Sequence, residues 1–153
     1  MKKTIKKVFM VLLSLPLLSC LANPNKEIDN KIEFQKGETM KISVQAKGET
    51  AVFKLNNSQA AKELYEQLPL EIEVENFGNN EKIFYPPKKL STNNTPLAKA
   101  KNGTLAYYAP WGDVVMFYKD FGSAGGLYEL GEIISGLEYI KNMSGIIKIN
   151  KEE

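Results

Sequence analysis

The feature that most limits how this chain can fold is a two-residue apolar rhythm that keeps recurring in short runs. Met40, Ile42 and Val44 alternate with polar residues, Lys47-Gly48-Glu49 turns the chain, and Ala51, Phe53 and Leu55 alternate again. Successive strand residues point to opposite faces, so the pattern predicts a hairpin with one buried side. Leu70, Ile72 and Val74 repeat the pattern against Glu71, Glu73 and Glu75, which predicts a strand with a solvated acidic face. Further short strands are expected over residues 82–85, 104–108, 114–118, 127–134 and 146–149.

Two short helices interrupt the strands. Ser58 is placed to cap one running to Leu68, with Ala61, Leu64, Tyr65 and Leu68 on one face and Pro69 as its stop. Ser135-Gly136-Leu137-Glu138 sets a serine three residues before a glutamate, a capping box for a second helix reaching Met143. Residues 88–102 read as a long loop, and three glycines in 122–126 as a mobile one. Many short strands joined by turns predict a closed or nearly closed barrel.

The first 19 residues have a different character. A basic stretch is followed by an apolar run from Val8 to Leu18, then Ser19 and Cys20. This is the three-part form of an export signal, and the run is too short to span a bilayer. The one cysteine of the chain stands directly after Leu17-Leu18-Ser19, which resembles the lipobox of bacterial lipoproteins. That resemblance implies a lipidated Cys20, a signal peptide over 1–19, and a protein anchored to a bacterial cell envelope outside the cytoplasm. Residues 20–38 are polar and read as a tether. A flexible coil of about 15 residues spans roughly 20 Å.

Composition excludes more chemistry than it offers. The chain has 153 residues, no histidine, and 20 basic residues, every one of them lysine. Histidine triads, histidine-ligated metals and arginine clamps are therefore absent, and no metal or cofactor is expected. The formal charge of +2 belongs to the precursor. Lys2, Lys3, Lys6 and Lys7 leave with the signal, so 20 minus 4 gives 16 lysines against 18 acids. Nucleic-acid binding has no electrostatic support.

The carboxy-terminal half resembles a known family. Leu130-Gly131-Glu132-Ile133-Ile134-Ser135-Gly136-Leu137-Glu138-Tyr139-Ile140 resembles the Phe-Gly-x-Val-x-x-Gly-x-x-x-Val segment of cyclophilins. The stretch from Ala51 to Ile149 is similar to the bacterial cyclophilin-like domain family. The shared features are Leu68-Pro69, Gly112-Asp113 leading into Phe117-Tyr118, and Leu130-Gly131-Glu132-Ile133. The resemblance implies a mainly β fold over 39–153, a closed antiparallel β-barrel of about eight strands with two short helices. Relatives occurring beside flavodoxin-like redox proteins make such a protein an implied partner. Cyclophilins polarise the prolyl amide with an arginine that this chain lacks, and the glutamine of their proline pocket is missing near Asp113-Val114-Val115-Met116. Prolyl isomerisation is thus the alternative reading, and no catalytic residue is assigned.

The densest chemical feature is aromatic: residues 84–85, 107–108, 111, 117–118 and 128. Most such rings belong in a core. Trp111 stands apart because it sits in a loop between Pro110 and Gly112, and loops carry function disproportionately. Tyr107 and Tyr108 must point oppositely, so an outward Tyr108 beside Trp111 makes a stacking platform for a peptide, sugar or flat ring. Asp113, Asp120, Glu129 and Glu132 are the carboxylates able to gather nearby, but nothing in the sequence fixes a separation that hydrolysis would require. Tyr85, Tyr108, Trp111 and Asp113 are the candidate ligand-binding residues. The reading reached is a membrane-anchored binding module for a small molecule or peptide.

Overall fold

The computed structural model describes residues 39–153. Cys20, the expected signal over 1–19 and the expected tether over 20–38 lie outside them. The elements run β1 (Lys41–Ala46), β2 (Glu49–Leu55), α1 (Gln59–Glu66), β3 (Leu70–Phe77), β4 (Glu81–Phe84), β5 (Thr104–Tyr108), β6 (Asp113–Phe117), β7 (Leu127–Ser135), α2 (Leu137–Ile140) and β8 (Gly145–Glu152). The strands close into one barrel in the order β1-β2-β7-β5-β6-β4-β3-β8, and every neighbouring pair is antiparallel. Closure removes the free edges that an open sheet of this size would expose.

Alternation decides what fills the barrel. Ile42, Val44, Phe53, Leu105, Met116, Ile147 and Ile149 are fully buried and form its interior. Burying one such side chain contributes about 1.5–3 kcal/mol through the apolar area removed from water. A second cluster lies on the opposite face of the β4-β6-β5 segment: Ile83, Ala106, Val115 and Phe117 pack with Leu127 and with Ala98 and Ala100 of the long loop. That loop is held down by its backbone, Ala98 N–H donating to Leu127 O at 2.9 Å and Ala100 N–H to Gly122 O at 2.7 Å. Tyr107 turns inward, and its hydroxyl accepts the Leu90 N–H at 3.2 Å, tying the start of the loop to the barrel.

The helices differ in how well they follow the expected local rules. Ser58 caps α1, its hydroxyl accepting the Ala61 N–H at 3.3 Å, and Ala60, Ala61 and Leu64 are buried. The helix ends at Glu66, earlier than expected, with Gln67 as its cap before the cis Leu68-Pro69 bond. The capping box expected at Ser135 does not form. Ser135 is the last residue of β7, opposite Val52, so strand pairing fixes its orientation; α2 is one short turn entered from Gly136 with no side-chain cap.

Candidate functional site

Strand register builds one concave surface on the outside of the barrel. Across β4 and β6, Glu81 lies opposite Phe117 and Ile83 opposite Val115; across β5 and β6, Ala106 lies opposite Val115 and Tyr108 opposite Asp113. These side chains share a face because they sit at every second position. Glu81 and Asp113 mark the two ends of that face, with the Ile83–Val115 pair between them.

Loops and the next strand raise walls around it. Trp111 is set by the tight connection from β5 to β6, in which Trp111 and Gly112 N–H groups both donate to Tyr108 O, at 3.2 and 2.8 Å. Gly112 has φ of 81°, a backbone state that costs a side-chain-bearing residue about 1 kcal/mol or more. The indole packs edge-on between Phe77, at 5.2 Å between ring centres, and Tyr108, at 5.4 Å. On the other side Phe121 stacks on Phe117 at 5.3 Å. The result is an open pocket of about 190 Å³, floored by the apolar cluster and rimmed by Phe77, Tyr108, Trp111 and Phe121.

Both carboxyl groups of this surface are buried. Asp113 is 2% exposed, and its Oδ1 has no hydrogen-bond partner among the described residues. Burial pushes its carboxyl above the usual carboxylate range, while its own backbone N–H pulls the other way. Glu81, 8% exposed, is raised by burial first and then by the negative charge of Asp113. Among the described residues lining the pocket there is no lysine to balance them.

Of the residues singled out from sequence, the structure brings Tyr108, Trp111 and Asp113 to this pocket. Trp111 is 51% exposed, so it is not a core plug. Tyr85 is exposed and falls outside the lining, although its phenol is pushed up by partial burial and then by the charges of Asp113 and Glu75. The carboxylate grouping read from sequence is replaced. Asp113 shares the pocket with Glu81, whereas Asp120 accepts the Asn102 N–H at 2.8 Å, and neither it nor Glu129 nor Glu132 lines the cavity. Glu81, Phe77 and Phe121 were missed. Extending the strand at 82–85 back by one residue would have set Glu81 on the face of Ile83, but Phe77 and Phe121 arrive by barrel closure and loop path. No group of three or more acidic or cysteine ligands is positioned to hold a metal among the described residues.

Comparison with known proteins agrees with this architecture. A hypothetical protein from Archaeoglobus fulgidus, whose structure was solved in solution, superposes with a TM-score of 0.61 at 14% identity, covering 78% of this chain and 99% of that one. At that identity the likeness speaks for the barrel fold alone. No curated protein matches the sequence. The profile of the Cyclophilin-like family matches residues 44–152, from within β1 to the last residue of β8 and well over half of the chain. With that match running through every strand of the closed barrel and both helices, the chain belongs to the cyclophilin-like family.

Proposed function

We propose that this protein is a binding module, tethered through a lipidated Cys20 to the outer side of a bacterial membrane, that takes a small molecule or an extended peptide segment into the pocket on the β4-β6-β5 face. The observation that carries the reading is the gathering of exposed rings there. Phe77, Trp111 and Phe121 are 44, 51 and 48% exposed, and all three border one cavity. Large aromatic groups left open to water at a concave apolar site favour a partner that covers them. The anchor rests on the sequence signature around Cys20 alone. Prolyl isomerisation draws no support from the pocket, whose charged groups are two acids and whose lining holds no cationic donor to polarise an amide.

Trp111 is the only tryptophan of the chain, so its emission reports directly on the site. Titration with a panel of ring-bearing small molecules and short apolar peptides should find some that shift this emission saturably. The same compounds should lose affinity for a Trp111→Ala variant when binding is followed by ligand-observed NMR. A panel that binds the variant as well as the parent would remove the pocket from the proposal.

A further inference from the structure

We propose that the pocket is built for a small organic cation, an ammonium group carried on an apolar or aromatic body, with Glu81 and Asp113 as its counter-charges and the rings of Trp111, Tyr108 and Phe77 as its walls. This rests on the binding reading of the same pocket. Asp113 sets the requirement. A carboxyl with 2% exposure and an unpartnered Oδ1 is a costly arrangement, because a buried polar group without a hydrogen bond forfeits its hydration. A second acid, Glu81, lines the same cavity and adds like charge to it. A bound neutral or anionic group leaves at least one of these costs standing. An ammonium group removes both, donating to the free oxygen and balancing the charge.

The rest of the lining fits the same ligand. Aromatic faces attract cations, tryptophan most strongly, and the attraction grows where water is excluded. Here the only charged groups on the lining are acidic, and the remaining surface is aromatic and aliphatic. The cavity, at about 190 Å³, is somewhat larger than an apolar cavity of about 150 Å³ that takes up benzene. A benzylammonium ion is thus of suitable size. Among the described residues no group of three ligands is placed to hold a metal ion.

The test compares benzylammonium with benzyl alcohol, a neutral molecule of nearly the same shape, by titrating Trp111 emission in the full-length protein at neutral pH. The cation should bind at least about tenfold more tightly. Glu81→Gln and Asp113→Asn should each reduce that ratio, and the double substitution should bring it close to one. Both changes keep side-chain shape, and a melting curve for each variant checks that the barrel is intact. If the two probes bind the parent equally, or the alcohol binds better, the cation proposal is overturned while the pocket remains a binding site. If the cation is preferred but the double variant keeps the preference, the carboxyl groups are not its counter-charges and the proposal fails. If neither probe changes the emission while other ring compounds do, the cation proposal fails alone; if no compound of any kind does, the binding reading falls with it.

Discussion

Tyr108 and Asp113 lie directly opposite each other across β5 and β6, on the outer face of the barrel, while Tyr107 one residue earlier is buried within it. One hairpin therefore serves two surfaces. Its inner residues, Leu105, Tyr107, Val114 and Met116, close the core, and its outer residues build the pocket. The connection between them carries Trp111, whose ring rests on Tyr108. The outer residues Ala106, Val115 and Phe117 are themselves buried in the second cluster, so the half-exposed Trp111 is the part of this surface whose loss should disturb the barrel least.

Trp111→Ala tests that separation. The indole is half exposed and packs edge-on against Phe77 and Tyr108. Such ring pairs contribute about 0.5–1.5 kcal/mol. The substitution should cost on the order of 1 kcal/mol, against about 3–5 kcal/mol for Phe53→Ala in the barrel interior. Thermal melting of the two variants measures the contrast, and equal losses would show Trp111 to be part of the core.

Acidic pH should stabilise the protein through Asp113 and Glu81. Both carboxyls are raised in the folded state, so above the ordinary carboxylate value of about 4 the folded chain holds more protons than the unfolded one. Their contribution to stability is present below that value and is lost as pH rises through the folded-state pKa. The charge facing Glu81 is that of Asp113, and Asp113 in turn acts on the Tyr85 phenol. Asp113→Asn should flatten this part of the stability profile and make the protein more stable than the parent at neutral pH. Urea midpoints measured across pH 4 to 8 would decide it, and an unchanged slope in the variant would contradict the assignment.

How far the sequence reaches is visible in these same residues. Alternation places Ile42, Val44, Phe53 and Leu55 correctly because a buried face leaves a local, two-residue signature. Ser58 is legible for a similar reason, since a cap acts within one turn. Alternation does not reveal which strands are neighbours. β2 pairs with β7 and β4 with β6, and the second of these non-local pairings brings Glu81 to the Asp113 face. A one-residue difference in the starts of β4 and β6 was enough to hide the pair, since it left Glu81 and Asp113 outside the expected strands. The second capping box failed because strand pairing through Ser135 outweighed a helix of four residues.

Cys20→Ala probes the anchor apart from the barrel. If the thiol carries lipid, the variant should leave the membrane fraction or accumulate as uncleaved precursor, since stable attachment needs acyl chains. Radiolabelled palmitate incorporation and fractionation read the two effects together. Normal processing with unaltered membrane association would exclude lipidation at this residue.

Gly131→Ala addresses the joint between β2 and β7 that holds the barrel closed behind the site. Gly131 stands opposite Leu55 on one side and Leu105 on the other. A Cβ added there would run into the Lys54 carbonyl oxygen and lie 2.9 Å from Leu55 Cα. Both obstacles are backbone, so no flexible side chain can swing aside, and β2 must move off β7 to make room. Overpacking of this kind costs about 1–3 kcal/mol, which for a domain near 100 residues lowers the melting temperature by several degrees or more. The displacement also reaches the strand end, where Asn56 N–H donates to Leu130 O at 2.8 Å and its side-chain amide to Glu129 O at 2.8 Å. Gly125→Ala is the control, because a Cβ there meets nothing within 4 Å. It should melt within a degree or two of the parent, about the effect of an ordinary surface change. If the two alanine variants melt together, the close approach of β7 to β2 does not constrain the barrel as argued.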